Sequence, residues 1–199
     1  MTISFLKRLT GTALAAIIGA GTFGVSLAEA AQKGSNSGLP VPRFVSIKSG
    51  QANVRVGPGR DYRVDWVYTR PGLPVEVVAE FDNWRRIRDA EGTEGWIFGA
   101  LLSGRRTAIA APWLSNVEAG AAPDGTPASA ATSAVLTLRR GPSGDSRPVA
   151  SIEPGVVGSI EDCDGDWCRF EPLSAKGEVA GYLRQIELFG AYPGERFED

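Results

Sequence analysis

A nine-residue segment occurs twice in the 199-residue chain and sets its organisation. Residues 53–61 read NVRVGPGRD, and residues 137–145 read TLRRGPSGD. Further landmarks follow each copy in the same order: Pro71-Gly72 matches Pro154-Gly155, Trp84 matches Trp167, and Gly95-Trp96 matches Gly181-Tyr182. The offset between copies is 84 residues at the segment, 83 at the tryptophans and 86 at the last landmark. Such a repeat predicts two copies of one small unit rather than a single domain.

Each copy spans about 60 residues, and its local patterns are typical of short strands joined by turns. Val54 and Val56 alternate with polar neighbours until Gly57-Pro58 interrupts the strand, and residues 73–81 form an apolar, β-branched-rich run. The 25 glycines and 13 prolines of the chain suit turns better than helix interiors. Five short strands in so few residues predict an all-β fold in which each copy closes into a small barrel around one core.

The predicted layout follows from the repeat and from composition. Residues 1–30 are a signal peptide, 31–43 an N-terminal tether, 44–106 the first barrel (the first module), 107–133 an Ala/Pro/Gly-rich linker, 134–190 the second barrel (the second module) and 191–199 a C-terminal tail. The linker lacks periodic apolar spacing, which predicts flexibility and modules that reorient. An exposed tryptophan in a linker is costly, so Trp113 is predicted to dock back on the first module. The first module is mildly basic, whereas residues 134–199 carry 7 basic and 12 acidic side chains.

The first 30 residues are typical of a secretory signal. Lys7 and Arg8 precede a charge-free run from Leu9 to Leu27, and Ala28-Glu29-Ala30 fits a small-residue cleavage site. A transmembrane anchor is the alternative, although four glycines loosen the run. We predict cleavage after Ala30 and a soluble periplasmic or secreted product without stable membrane insertion.

The ordered landmarks of both copies resemble those of the bacterial SH3 domain family, closest to its exported proteobacterial branch. The resemblance implies two small SH3-like β-barrels in tandem, a place in the cell envelope, and binding to peptidoglycan peptides or protein partners. It implies no reaction. The second copy has Arg140 and Ser143 in place of Val56 and Gly59, so its first turn is expected to differ in shape.

The chain contains no histidine, which removes Ser-His and Cys-His nucleophile pairs and the usual zinc sites. A glycosidase with paired carboxylates is the remaining enzymatic alternative, but it needs a cleft in a larger scaffold. Residues 162–166 (DCDGD) begin like a calcium loop, yet Trp167 stands where the sharp-turn glycine belongs and Leu173 where the bidentate glutamate belongs. We predict no enzymatic activity, no cofactor, no metal site and no nucleic-acid binding.

The two cysteines, Cys163 and Cys168, bracket a turn sequence that joins two strands. A tight hairpin places such residues opposite each other, and an oxidising compartment makes a disulfide the expected state. A catalytic redox pair is the alternative, but it normally has Cys-x-x-Cys spacing at a helix start. The predicted role of the disulfide is to hold hairpin geometry.

Arg55 and Arg139 occupy equivalent places before the Gly-Pro turn, where each could read a ligand or donate to loop carbonyls. Their repetition favours the structural role. We predict packing or turn-forming roles for the other repeated landmarks, namely Gly57, Pro58, Trp84, Gly95, Trp96, Gly141, Pro142, Trp167, Gly181 and Tyr182.

The loop after the first Gly-Pro turn carries the predicted ligand-binding residues Asp61, Tyr62 and Trp66. An amphipathic ring beside a carboxylate can hold a peptide, although a purely structural Tyr62 or Trp66 is an equal alternative. The second copy has no aromatic residue there, so the first module is expected to do most of the binding.

These features together predict a non-catalytic cell-envelope protein that recognises peptidoglycan peptides through SH3-like modules. The alternative is a periplasmic protein-protein interaction adaptor, in which the acidic second module or an exposed barrel edge docks a partner.

Overall fold

A computed structural model of the chain describes residues 32–114 and 135–197, and the described part is all-β, as the sequence predicts. A short hairpin comes first, formed by β1 (Gln32–Lys33) and β2 (Pro40–Val41). The first sheet contains β3 (Arg43–Ile47), β4 (Ala52–Arg55), β5 (Val64–Tyr68), β6 (Pro74–Phe81), β7 (Trp84–Arg88), β8 (Glu94–Phe98) and β9 (Leu102–Ser103). The second sheet contains β10 (Thr107–Ala110), β11 (Leu136–Arg139), β12 (Pro148–Ile152), β13 (Val157–Asp164), β14 (Trp167–Pro172), β15 (Gly181–Arg184), β16 (Leu188–Phe189) and β17 (Arg196–Phe197).

The first sheet is antiparallel in the order β5-β4-β8-β7-β6-β3-β9. Alternating residues of its strands point to one side, where they form a single apolar core. That core consists of Val45, Ile47, Ala52, Val54, Val75, Val77, Ile87 and Ile97. The strand alternation read from the sequence at Val54 therefore corresponds to core-facing side chains.

The second sheet repeats this arrangement in the order β12-β11-β15-β14-β13-β10-β16, with β17 added beside β13. Its core is built around Leu138, Phe170 and Leu183, which occupy the places of Val54, Ile87 and Ile97 in the first core. The repeat in the sequence is thus a repeat of buried positions.

Strand β10 is the counterpart of β3, although the sequence repeat does not include either strand. Gly72 donates its N–H to the carbonyl of Ile47 at 2.7 Å, and Gly155 donates to the carbonyl of Ala110 at 2.8 Å. Both strands pair on one side with the long central strand of their sheet and on the other side with a two-residue strand. Each module therefore begins one strand earlier than the repeated segment.

This equivalence corrects the start of the predicted linker at residue 107. Residues 107–110 are the first strand of the second module, and the two sheets follow each other across the three residues between Ser103 and Thr107. Alanine has a low strand propensity, so this Ala-rich stretch resembles a linker in sequence, whereas pairing on both sides makes it a strand. Trp113 is half-buried after β10, and residues 115–134, which hold the rest of the predicted linker, lie outside the described residues.

The C-terminal tail is part of the second sheet rather than a free extension. β17 pairs with β13 at Cys163 and Asp164. The two carboxylate oxygens of Glu195 accept hydrogen bonds from Nη1 and Nη2 of Arg106 at 2.8 and 2.9 Å. The same guanidinium lies 4.6 Å from the ring centre of Phe197. The tail is therefore fastened to the segment that connects the two sheets.

The predicted N-terminal tether is held against β6 by one buried carboxylate, that of Glu80. It accepts hydrogen bonds from the backbone of Asn36 at 3.1 Å, from the hydroxyl of Ser37 at 2.6 Å and from Arg43 at 2.7 Å. Burial raises the pKa of Glu80, but these hydrogen bonds outweigh it and lower the pKa to about 2. The tether is thus an ordered part of the first module.

The two modules contact each other through aromatic rings and one hydrogen bond to a buried carboxylate. The ring of Phe44 lies 5.1 Å from that of Phe189 and 4.7 Å from that of Tyr192. The Tyr192 hydroxyl donates to Glu76 Oε1 at 2.8 Å, and Arg88 holds the other oxygen of that carboxylate. These contacts join residues of the two modules directly.

The predicted signal peptide and its cleavage after Ala30 lie outside the described residues. Across residues 32–114 and 135–197, none of the helical turns is long and apolar enough to cross a bilayer. The same residues contain no group of three His, Cys, Asp or Glu side chains arranged to hold a metal ion.

Candidate binding site

The two modules differ at one pair of equivalent positions. There, the first residue of one strand lies opposite the last residue of the next strand. In the first module Trp84 opens β7 opposite Phe98, the last residue of β8. In the second module Trp167 opens β14 opposite Arg184, the last residue of β15. The repeated tryptophans therefore mark equivalent positions with different partners.

In the first module aromatic packing covers this place. The rings of Trp84 and Phe98 meet edge to face with their centres 5.6 Å apart, and Trp84 is only 9% exposed. The guanidinium of Arg60 lies 6.0 Å from the Phe98 ring centre. Leu101, in the helical turn that follows Phe98, packs against the core. The first module has little room for a ligand here.

In the second module the same place is an open cavity of about 540 Å³. Gly144 replaces Arg60, Arg184 replaces Phe98, and Glu187 replaces Leu101, so the covering side chains are gone. The cavity is lined by Val135, Leu136, Thr137, Arg139, Gly144, Asp166, Trp167, Arg184, Ile186 and Glu187. Its volume is within the range of small-molecule sites, about 300–1,000 Å³.

Two cations and two carboxylates line this cavity together with the Trp167 ring. Burial raises the pKa of Glu187, while the positive charges of Arg184 and Arg139 act in the opposite direction. Within the described residues neither Arg184 nor Glu187 forms an ion pair. Glu187 accepts a hydrogen bond from the backbone N–H of Arg184, and the Arg184 charge acts on it from beyond ion-pair distance.

The repeated arginines support the loops beside this place. Arg55 donates to the carbonyl of Tyr62, and Arg139 donates to the carbonyl of Ser146 at 2.8 Å, in each case seven residues along the chain. This is the structural role that repetition favours. Arg139 also lines the cavity.

The three residues predicted to bind ligand in the first module lie in different environments. Asp61 is exposed, and Tyr62 is 49% exposed with its ring lying against Gly57. Trp66 packs against the first core, and its ring approaches Gly95 so closely that a side chain there would clash. Trp66 thus fits the structural alternative, while Tyr62 shapes the loop.

The Gly-Pro turns are shaped by different neighbours in the two modules. Gly57 and Pro58 begin a loop whose Tyr62 ring leaves no space for a side chain on Gly57. In the second module Gly141 and Pro142 precede Ser146, whose hydroxyl accepts the N–H of Gly141 at 2.9 Å. A small residue at this place suits the open form of the second loop.

Trp96 and Tyr182 lie on the faces of their sheets that point away from the cores. Trp96 lies opposite Arg55 and Arg86 on the flanking strands. Tyr182 lies opposite Arg139 and Arg169, and the residue before it, Gly181, faces the neighbouring backbone too closely for a side chain. The glycine of each pair permits strand contact, and the aromatic residue covers the outer face.

The predicted disulfide is confirmed, and the loop that it closes carries two residues that line the cavity. Cys163 and Cys168 are paired across β13 and β14, with their Cα atoms 4.2 Å apart. In the turn between them, Asp164 accepts the backbone N–H groups of Asp166 and Trp167 at 2.9 and 2.8 Å, which lowers its pKa. The acidic turn therefore positions two residues that line the cavity.

Arg184 and Glu187 are site residues that sequence reasoning missed. Both follow the last repeated landmark, where the pattern has ended. Aligning the two copies through Gly95 and Gly181 matches Arg184 with Phe98. This change from an aromatic to a charged residue is the sequence signal that could have identified the site.

Fold and site define a tandem of small antiparallel β modules, one of which carries an open polar cavity. The model of the bacterial SH3 domain matches residues 48–104 and 133–189. The chain therefore belongs to the bacterial SH3 domain family, as the resemblance implies. No curated protein matches the chain.

Two solved structures are similar to the chain, both from Trichomonas vaginalis. NlpC2 is 12% identical to this chain, with a TM-score of 0.28, and the match covers 74% of this chain and 48% of the NlpC2 chain. NlpC1 is 13% identical to this chain, with a TM-score of 0.28, and the match covers 78% of this chain and 48% of the NlpC1 chain. This chain thus spans about half the length of either structure.

Proposed function

We propose that this protein is a non-catalytic cell-envelope binding protein that recognises peptidoglycan peptides, with the cavity of the second module as its principal site. The observation that carries the proposal is the open, charged cavity at a place that the first module fills with Phe98. Two modules of one family have kept the same framework, so the difference at this place points to ligand binding rather than to folding.

The character of the cavity suits a peptide. Apolar surface from Ile186 and Leu136 can contact side chains, and the Trp167 ring offers a rigid flat surface. Arg139 can bind a negatively charged group of the ligand, and Asp166 can bind a positively charged one. A chain without histidine has few means of catalysing hydrolysis, which supports binding without reaction.

An exported location supports the proposal. The disulfide between Cys163 and Cys168 and the family membership point to an extracytoplasmic protein. The periplasm, reached through the predicted signal peptide, is the compartment in which such a protein meets cell-wall peptides.

The sequence predicts binding by Asp61 and Tyr62 in the first module, whereas the proposed site lies in the second module. Those residues lie on an exposed loop, whereas Trp167 and Arg184 share a cavity. Concave sites remove more ligand surface from water than exposed loops do, which is why the cavity is favoured.

Co-sedimentation with purified peptidoglycan sacculi tests the proposal, using Arg184→Phe as the variant. Phenylalanine at this place reproduces Phe98 of the first module, so it should fill the cavity without disturbing the fold. Arg147→Phe, at an exposed position outside the cavity, is the matched control for the added ring and the lost charge. We expect retention of the wild type and of the control and loss of retention for Arg184→Phe.

Equal retention of all three proteins would place binding elsewhere, and no retention of any would remove the cell-wall proposal. Prolonged incubation with muropeptides should leave them chemically unchanged, as followed by mass spectrometry. Any new cleavage product that disappears with the cavity variant would contradict the non-catalytic part.

A protein-interaction adaptor is the second candidate, favoured by the free edges of both sheets. β5 and β12 each form one end of their sheet, and each exposes a valine: Val67 is 39% exposed and Val149 is 41% exposed. An extended partner segment can add to such an edge through backbone hydrogen bonds. Cross-linking that recovers one partner, lost with Val149→Pro but not with Arg184→Phe, would select this function.

A further inference from the structure

We infer that the second-module cavity binds short peptides with a free amine at one end and a free carboxylate at the other, with Glu187 accepting the ammonium group and Arg184 donating to the carboxylate. This inference rests on the proposed function and names its ligand class. It follows from the opposite charges of Arg184 and Glu187, whose counterparts in the first module are apolar.

The cavity presents both signs of charge at once. Arg184 and Arg139 contribute two positive charges, and Glu187 and Asp166 contribute two negative ones. A ligand of one charge would meet repulsion from half of this lining. A ligand with separated opposite charges can satisfy both halves, and a guanidinium can hold a carboxylate with two parallel hydrogen bonds.

Glu187 is half-buried and lacks an ion pair among the described residues. A partly desolvated carboxylate gains more from an added ammonium partner than an exposed one does. Burial raises its pKa, so the ligand-free site holds this charge at a cost that a bound amine would relieve.

The first module acts as an internal comparison. Phe98 and Leu101 stand where Arg184 and Glu187 stand in the second module, and both are apolar. Besides Gly144, which replaces Arg60, the residues that distinguish the open site from the covered one are thus two of opposite charge. This pairing is what a receptor for a zwitterionic group requires.

The inference separates two kinds of peptide in the cell wall. Forming a cross-link joins an amine to a carboxylate as an amide, which consumes one charge of each sign. The cavity should therefore prefer peptides with unlinked ends over cross-linked bridges.

Four trialanine peptides test this preference directly on the full chain: one with free ends, one N-acetylated, one C-amidated and one blocked at both ends. Isothermal titration should give the tightest binding for the free peptide and about tenfold or greater loss for each block. This comparison needs no substitution, so it does not depend on the folding of any variant.

Variants then assign the roles. Glu187→Gln should weaken the free peptide to the level of the acetylated one and make acetylation immaterial, and Arg184→Gln should do the same for amidation. Glu178→Gln and Arg147→Gln remove the same charges at exposed places outside the cavity and should leave all four affinities unchanged.

The inference is overturned if blocked and free peptides bind equally, or if none binds to a chain that sediments with sacculi. Both of these results leave the proposed function standing, because retention on sacculi is measured separately. Loss of sacculus retention together with loss of all peptide binding would remove both.

Discussion

The contact between Tyr192 and Glu76 makes a quantitative test of whether the two modules form one cooperative unit. The Tyr192 hydroxyl donates to Glu76 Oε1 at 2.8 Å, and Glu76 is only 4% exposed. Arg88 binds the other oxygen, Oε2, through two nitrogens. Tyr192→Phe removes the hydroxyl that donates a hydrogen bond to the buried Oε1.

A hydrogen bond to a charged group contributes about 1.5–3 kcal/mol. Arg88 still neutralises Glu76, so we expect a loss near the lower half of this range, about 2 kcal/mol. For a chain of this length that corresponds to a melting temperature lower by roughly 4–8 °C. Burial raises the pKa of Tyr192, and the bond to Glu76 raises it further, so the hydroxyl stays a donor and the loss should be constant between about pH 6 and pH 9.

Thermal and denaturant unfolding followed by circular dichroism measure this loss. Tyr182→Phe is the matched control, because its hydroxyl lies 3.5 Å from Asp162 in an exposed pair, and it should cost less than about 0.5 kcal/mol. Equal effects of the two substitutions, or separate unfolding transitions for the two modules in the wild type, would refute the reasoning.

Three further predictions follow from single contacts. Glu80→Gln should destabilise the chain by about 2 kcal/mol at pH 7; because the pKa of Glu80 is lowered from 4.5 to about 2, this difference should be full above pH 4.5 and shrink as pH falls to 2, as measured by denaturant unfolding at each pH. Replacing Cys163 and Cys168 together by serine should cost about 2 kcal/mol for so short a loop and weaken ligand binding at the adjoining cavity, with calorimetry reporting both. Gly57→Ala should cost about 1–3 kcal/mol because the new methyl group meets a tyrosine ring, whereas Gly50→Ala points into open space and should be neutral in the same melts.

The repeat predicted the architecture well because it is a repeat of core positions. Val54 and Leu138 alternate with polar neighbours since one face of each strand is buried, and that pattern is local. The disulfide was predictable for the same reason, because Cys163 and Cys168 are joined by a short turn. Local geometry leaves such features little freedom.

The first strand of each module was not predictable from the repeat. Residues 43–47 and 107–110 differ in composition, and they become equivalent only through pairing with strands distant in the chain. Two alanines among the four residues of β10 resemble a linker until neighbours on both sides supply their hydrogen bonds. Strand identity there is a property of the sheet.

The site shows the same division. The sequence alone determined that two small all-β units of one family follow a secretory-type segment, because alternation, turns and landmark order are local patterns. Only the tertiary structure decided which unit is open, since Phe98 and Arg184 acquire their opposite effects by facing Trp84 and Trp167 across neighbouring strands. Whether a side chain covers a place or lines a cavity depends on what the rest of the chain brings opposite it, and that information is not contained in any single segment.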